Sequence, residues 1–276
     1  MELDNPYMVN LLAVAGMMSA GWVVSVYRRN VTLVDTLWGL GFVLIAWLTW
    51  FRIEGVWGRQ LLLVLLTSLW GVRLAGYLGW RNHGKGEDPR YGMWRRAAGK
   101  RFWWTSLFKV FLLQALVLWL ISLTIQAGQA IRVPDRLGAM DLIGTLIWSI
   151  GFMFETVSDW QLARFKADPV NRGRVMDRGL WRYSRHPNYF GESLIWWGLF
   201  LIALADPSNW WTVISPVIIT LVLLKMTGIP LTEKTTLEKR PGYKDYIART
   251  PAFFPWRPKP RRNPMETHHE NADPVG

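Results

Sequence analysis

A chain of 276 residues that is 51% apolar, with 19 tryptophans and only 19% charged side chains, is too poor in charge for an ordinary soluble domain, where about a quarter of residues are charged. Lysine and arginine number 32 against 20 aspartates and glutamates, and they cluster between long runs that carry almost none. Cysteine is absent, which excludes disulfides, thiolate metal sites and a cysteine nucleophile.

The opening MELDNP is acidic where a signal peptide would be basic, and the first apolar run is long enough to span, so no cleavable signal is expected. A bilayer core requires about 20 mostly apolar residues per helix. Seven such stretches are predicted, at 7–27, 31–51, 60–80, 102–125, 137–161, 189–205 and 210–228, the sixth being the shortest. With the N-terminus outside, 25 of the 32 lysines and arginines fall in segments facing the cytoplasm, and only 4 (Arg52, Arg59, Arg132 and Arg136) fall in outer segments. That is the bias of the positive-inside rule. An odd number of spans puts every basic block on one side. The expected fold is therefore all-α: an integral membrane bundle of seven transmembrane helices over residues 1–258, N-terminus outside and C-terminus cytoplasmic. A polar, disordered tail is expected at 259–276, with its two histidines solvated rather than bound to metal.

Ionisable residues inside spans are costly and point to a cavity or a partner. Asp35, Arg73, Lys109, Glu155, Asp159, Glu192 and Lys225 are the candidates. Lys109 and Lys225 lie close to the cytoplasmic ends, where snorkelling accounts for them as well as function does. Glu155 and Asp159 are four residues apart on one helix face. Two carboxylates there suit either ion pairing with nearby arginines or a hydrogen-bonding wall for a ligand.

The densest signal is NRGRVMDRGLWRYSRHPNYFGES, residues 171–193. Pro187 is placed to open a helix, which sets Asn188 and Glu192 on one face. Arg172, Arg174, Arg178, Arg182 and Arg185 lie just upstream. Guanidinium groups around a helix start suit a phosphate-bearing ligand. Positive-inside bias toward anionic lipid explains the charge equally well, but not Asn188, Tyr189 and Glu192 at the mouth of an apolar helix. His186, beside a proline, reads as a structural hydrogen bonder or a titrating group. A second basic loop, RNHGKGEDPRYGMWRR, has glycines and an acidic pair before Pro89 that suggest a defined turn, and it lacks the context of a dinucleotide or Walker loop. A third segment, EKTTLEKRPGYKDYIARTPAFFPW, reads as an ordered cap. Charge confined to membrane-proximal loops argues against nucleic acid, and no metal site is expected.

The string RGLWRYSRHPNYFGE, with Asp159 in VSDWQLARFK upstream and LEKRPGYKDYIARTPAFFPW downstream, resembles the steroid 5α-reductase family, closest to its bacterial membrane branch long treated as a domain of unknown function. GEDPRY fits that branch as well. The resemblance covers about residues 31–256. It implies a seven-helix bundle that binds NADPH from the cytoplasmic side and reduces the double bond of a 3-oxo-Δ4 steroid. Asp159, Asn188, Glu192, Arg174 and Arg73 match cofactor contacts of the family, and Glu155 stands where animal enzymes carry asparagine. Tyr183, Arg185, His186, Tyr189, Arg90, Tyr91 and Tyr243 lie in the matching strings and, with Arg172 just upstream of RGLWRYSRHPNYFGE, join the implied cofactor site. Asp35 falls at the carboxylate that holds the steroid carbonyl. The family's partner tyrosine aligns with Trp70, and Tyr77 lies two turns further on. Asp35 and Tyr77 are then the implied catalytic pair, with Trp38 and Trp70 beside the substrate.

Reduction of an enone requires hydride at the β-carbon and a hydrogen-bonding acid at the carbonyl oxygen. The cofactor supplies the hydride, so no nucleophile or metal is needed. The expected setting is a bacterial inner membrane, with an apolar, steroid-like enone as partner. Isoprenylcysteine and phospholipid methyltransferases share the R-H-P-x-Y core and use S-adenosylmethionine, which lacks phosphate and has less need of arginine. A transporter without catalysis would show inverted repeats or broken midplane helices, and the sequence has neither.

Overall fold

The computed structural model describes residues 5–226 and 228–260. Among them there is no strand. The helices are α1 (Pro6–Arg28), α2 (Leu33–Arg52), α3 (Trp57–Asn82), α4 (Pro89–Ala98), α5 (Phe102–Ser106), α6 (Leu113–Ile121), α7 (Leu123–Gln129), α8 (Ala139–Ala167), α9 (Pro187–Ala203), α10 (Ile214–Leu221), α11 (Ile229–Lys239) and α12 (Tyr243–Arg249). Local chemistry sets their ends. Asn5 Oδ1 accepts from Tyr7 N at 3.0 Å ahead of α1, and Asp88 Oδ1 accepts from Arg90 N at 2.9 Å ahead of α4. Both caps precede a proline whose missing N–H is no loss in the first turn.

Among the described residues, six helical segments are long and apolar enough to cross a membrane: Pro6–Arg28, Leu33–Arg52, Trp57–Asn82, Pro89–Ile121, Ala139–Ala167 and Pro207–Lys239. That is the make-up of an integral membrane protein. The remaining expected span, α9, has 17 residues. At about 1.5 Å per residue it is shorter than a hydrocarbon core of about 30 Å. Two boundaries depart from the sequence reading. The basic segment 81–101 contains α4, because Asp88 and Pro89 start a helix inside it. The span expected at 102–125 is interrupted by π-helical turns at Leu107–Leu112 and ends at Ile121. Lys109 lies in those turns and Lys225 in a second π-helical stretch, Val222–Met226. The expected polar tail lies, from residue 261 onward, outside the described residues.

The chain forms two compact units. The first comprises Met1–Ser149 with Ile195–Ile219, the second Ile150–Leu194 with Thr220–Gly276. In the first, α2 and α3 meet backbone to backbone. A Cβ added at Gly39 would lie 2.5 Å from Gly71 O, closer than any side chain fits, so small residues set this approach. Below it Phe42, Trp70 and Trp196 form a buried aromatic cluster, with ring centroids 4.6–5.5 Å apart. Buried polar side chains are tied across helices. Asn10 Nδ2 donates to Thr49 Oγ1 at 2.9 Å and to Gln126 Oε1 at 2.8 Å, and Gln129 Nε2 donates to Ala46 O at 3.0 Å. Left without these acceptors the amide nitrogens would be expensive in an apolar interior; Asn10 Oδ1 and Gln129 Oε1, also buried, accept no hydrogen bond.

Arg59, expected in an outer loop, is fully buried at the start of α3. Its Nε and Nη2 donate to the two Asp141 carboxylate oxygens at 2.8 and 2.9 Å. Nη1 also donates to Pro134 O at 3.1 Å and Nη2 to Arg136 O at 3.0 Å, and Gly138 N donates to Asp141 Oδ2 at 2.9 Å.

In the second unit Trp181 packs with Phe165 and Met176 and donates from Nε1 to Ser158 O at 3.0 Å. Gly191 admits α8 closely, since a Cβ there would lie 2.5 Å from Glu155 N. Residues 251–259 form an extended strap over this unit. Arg185 N donates to Pro251 O at 2.9 Å, Ser184 Oγ to Phe253 O at 2.8 Å, Trp256 N to Tyr183 O at 2.9 Å and Lys259 N to Arg249 O at 2.9 Å.

Candidate active site

In the first unit the candidate residues gather at the start of α2. The GEDPRY turn docks there through main-chain groups that have no helical partner. Val31 N donates to Glu87 Oε1 at 2.9 Å, and Asp88 N donates to Thr32 Oγ1 at 2.8 Å. Arg95 grips Glu87 with two hydrogen bonds of 2.7 Å. Burial raises the Glu87 carboxyl's pKa, but the bonds from Arg95 and Val31 outweigh it and hold the group below its ordinary value. Asp88 is likewise held low: the Arg90 side chain and backbone N–H outweigh its desolvation.

This docking delivers Tyr91 to Asp35. The Tyr91 hydroxyl donates to Asp35 Oδ1 at 2.9 Å. Arg90 lies with Nη2 3.6 Å from Asp35 Oδ2, while its Nε and Nη2 donate to Asp88 at 2.9 and 3.1 Å. Asp35 Oδ2 is buried and accepts no hydrogen bond. One carboxylate oxygen is thus fixed by a phenol, and the other has only a guanidinium at its edge.

The tyrosine on Asp35 is therefore Tyr91, which the sequence reading placed with the cofactor. Tyr77 lies between the guanidinium groups of Arg73 and Arg81, each 5.9 Å from its ring centroid. Of the expected substrate contacts, Trp38 is half-buried one turn beyond Asp35, edge-on to Phe42 at 5.5 Å. Trp70 is fully buried in the aromatic cluster.

In the second unit α8 carries Glu155 and Asp159, both buried. Asn188 Nδ2 lies 3.5 Å from Asp159 Oδ1, and Asn188 Oδ1 is buried without a hydrogen bond. Glu192 follows one turn later, half-buried. Arg185 is committed internally: Nε donates to Glu233 Oε1 at 2.7 Å, and Nη1 donates to Thr250 O at 2.6 Å and Ile247 O at 3.2 Å. His186 Nε2 lies 3.2 Å from the same Glu233 oxygen, and its ring stacks on Tyr189 at 5.3 Å. Tyr189 OH is 3.3 Å from Thr232 Oγ1. Burial lowers the His186 pKa and Arg185 adds to this, while Glu233 opposes both. The neutral ring's contribution to stability is therefore complete above the ordinary histidine pKa and falls away as pH drops below it. Tyr243 is buried, and desolvation first, then the Glu233 charge, pushes its phenol up to about 12. Tyr183 and Arg174 are exposed at the side chain, and their main-chain carbonyls accept from Trp256 N and the Arg240 guanidinium.

A cleft of about 420 Å³ in this unit is lined by Lys166, Asp168, Asn171, Arg172 and Arg240 among others. Arg172 is the expected cofactor residue there. Glu233, expected only as part of the ordered cap, joins Arg185 to His186, a link that no local spacing signals across nearly fifty positions. No group of three or more histidines or carboxylates that could hold a metal occurs among the described residues.

The chain belongs to the family described as protein of unknown function (DUF1295), whose model matches residues 21–250. Every candidate residue above lies inside that match. It is also similar to an uncharacterized protein of Schizosaccharomyces pombe, at 30% identity over 281 aligned positions, covering 91% of this chain and 80% of the yeast protein. No solved structure matches. The family membership agrees with the domain-of-unknown-function branch that the motifs pointed to.

Proposed function

We propose that this protein is an NADPH-dependent membrane reductase that saturates the C4–C5 double bond of a 3-oxo-Δ4 steroid or a similar enone lipid. The observation that carries the reading is the half-satisfied Asp35 carboxyl, oriented by Tyr91 and flanked by Arg90. Charge develops on the carbonyl oxygen of an enone as hydride reaches the β-carbon, and a preorganised donor there stabilises it. Asp35, protonated on Oδ2, is that donor; Tyr91 keeps its other oxygen fixed, and Arg90 stabilises the charge that remains. NADPH, when bound, would supply the hydride to the β-carbon, and a proton from water reaching the α-carbon completes the saturated ketone. Two features of the chain suit it. The cleft lined by Lys166, Arg172 and Arg240 suits phosphates, and the unpartnered Asn188 Oδ1 can accept from an amide. Asp159 orients Asn188. The same reading takes α9 as the seventh crossing, with the N-terminus outside, the C-terminus and cofactor site cytoplasmic, and the protein in a bacterial inner membrane.

The test is NADPH consumption by the purified protein in detergent with testosterone or progesterone, with product analysis. Oxidation coupled to a 5α product is expected, together with a melting point raised by NADPH through mass action. A melting point raised by S-adenosylmethionine instead, without turnover of any enone, replaces this reading with a methyltransferase.

A further inference from the structure

The second unit holds another basic cleft, of about 450 Å³, lined by Asp177, Arg178, Arg182, Arg249 and Lys259 with Gly179, Thr250 and two prolines. Its charge is mostly unspent. Asp177 is the sole carboxylate in the lining, and it is taken by Arg249, whose Nη2 lies 3.4 Å from Oδ2. Among the described residues no side-chain hydrogen bond or ion pair engages Arg178, Arg182 or Lys259. The reductase reading uses none of these three, and internal folding uses only their main chains.

The wall beside the cleft is the strap of residues 251–259, and it is aromatic. Phe254 is 71% exposed and Trp256 is 74% exposed. They are not loosely held. The hydrogen bonds from Ser184 Oγ to Phe253 O and from Trp256 N to Tyr183 O fix the backbone on either side of Phe254, and that from Lys259 N to Arg249 O fixes it beyond Trp256. Phe254 packs against Phe253 and Phe190 with ring centroids 5.2 and 6.0 Å away. A strap pinned by its main chain, with two large apolar rings outward, leaves that apolar area in water unless something covers it.

We infer that this cleft holds the phosphate of an anionic membrane lipid, with Phe254 and Trp256 seated in the headgroup layer beside it. Three uncommitted cations match a phosphodiester. Tryptophan and phenylalanine beside them match an interfacial, partly apolar environment, which a soluble anion does not offer. The inference is independent of the reductase reading, since its readout is lipid retention rather than turnover.

The experiment is native mass spectrometry of the full chain from detergent micelles carrying phosphatidylglycerol or phosphatidylcholine, with a titration of inorganic phosphate in parallel. The intact protein retains phosphatidylglycerol over phosphatidylcholine. R178Q/R182Q loses about tenfold or more of that affinity, because two charge-assisted contacts disappear. F254A/W256A weakens lipid retention while leaving inorganic phosphate binding unchanged. Lys259→Gln, exposed on the strap, gives a weaker loss of the same sign and serves where the double arginine variant fails to fold. Arg52→Gln, a basic residue outside this unit, keeps full retention. Equal retention of the two lipids by the intact protein, or unchanged phosphatidylglycerol retention in R178Q/R182Q, overturns the inference. Inorganic phosphate binding as tightly as the whole lipid makes the cleft a site for a soluble anion and overturns the lipid assignment.

Discussion

Two arginine–aspartate pairs of the first unit, Arg59 with Asp141 and Arg90 with Asp35, have opposite finish. Around Arg59 and Asp141 both carboxylate oxygens accept, and the remaining guanidinium donors reach two main-chain carbonyls. Around Asp35 one oxygen accepts from Tyr91, the other accepts nothing, and Arg90 is largely held by Asp88. A pair whose carboxylate oxygens both accept and whose three guanidinium nitrogens all donate has little capacity for a ligand, and its chemistry is spent on holding the chain together. A carboxyl with one open oxygen beside a phenol and a cation can still bind something. The difference separates a staple from a site, although in sequence both are a charge near the end of an apolar stretch.

The largest expected effect breaks the staple. Arg59→Ala leaves Asp141 buried and unpaired, which costs about 3–5 kcal/mol of stability. Denaturant unfolding in detergent measures it, and a loss below about 1 kcal/mol would show that water reaches the pair. Arg59→Lys recovers little, because a single ammonium cannot replace a bidentate fork. Next comes the site. On the proposed reductase reading, Asp35→Ala lowers turnover by about 10²–10⁴ while NADPH binding persists. Tyr91→Phe lowers turnover in the same direction and stability by only about 1 kcal/mol. Full activity in Asp35→Ala removes Asp35 from the chemistry. The smallest effect sets the baseline. Arg132 and Glu54 face each other 3.5 Å apart with side chains 73% and 92% exposed. Glu54→Gln changes stability by no more than about 0.5 kcal/mol, and a larger change would mean that this pair too is shielded.

Apolar runs announced most of the helices, because length and hydropathy are local properties. The stretches read at 7–27 and 31–51 match α1 and α2 within about two residues. Segment 89–98 was lost in a basic loop because its helical signal is a cap and a proline, with no apolar stripe. The side-chain partnerships were less legible. Asp35 stood out as a carboxylate in an apolar stretch, but its phenol comes from 56 positions away and was assigned elsewhere. Arg59 looked like an outer-loop charge because its partner lies 82 positions along the chain. Composition names the groups that must be neutralised. Only tertiary packing names what neutralises them.

The Gly39–Gly71 contact bears on how the chain enters the bilayer during synthesis. Residues 53–56 alone connect α2 to α3, so the partner helix emerges from the translocon directly behind α2. Two backbones that can touch without side chains intervening can lock as a hairpin before any later helix arrives. Asp35, in the first turn of α2, then enters alongside a docked neighbour instead of on a solitary helix, where an unpaired carboxylate in an apolar span is costly. A bulky residue at position 39 would act at that early step, on the insertion yield of nascent chains, before the finished protein's packing is at issue.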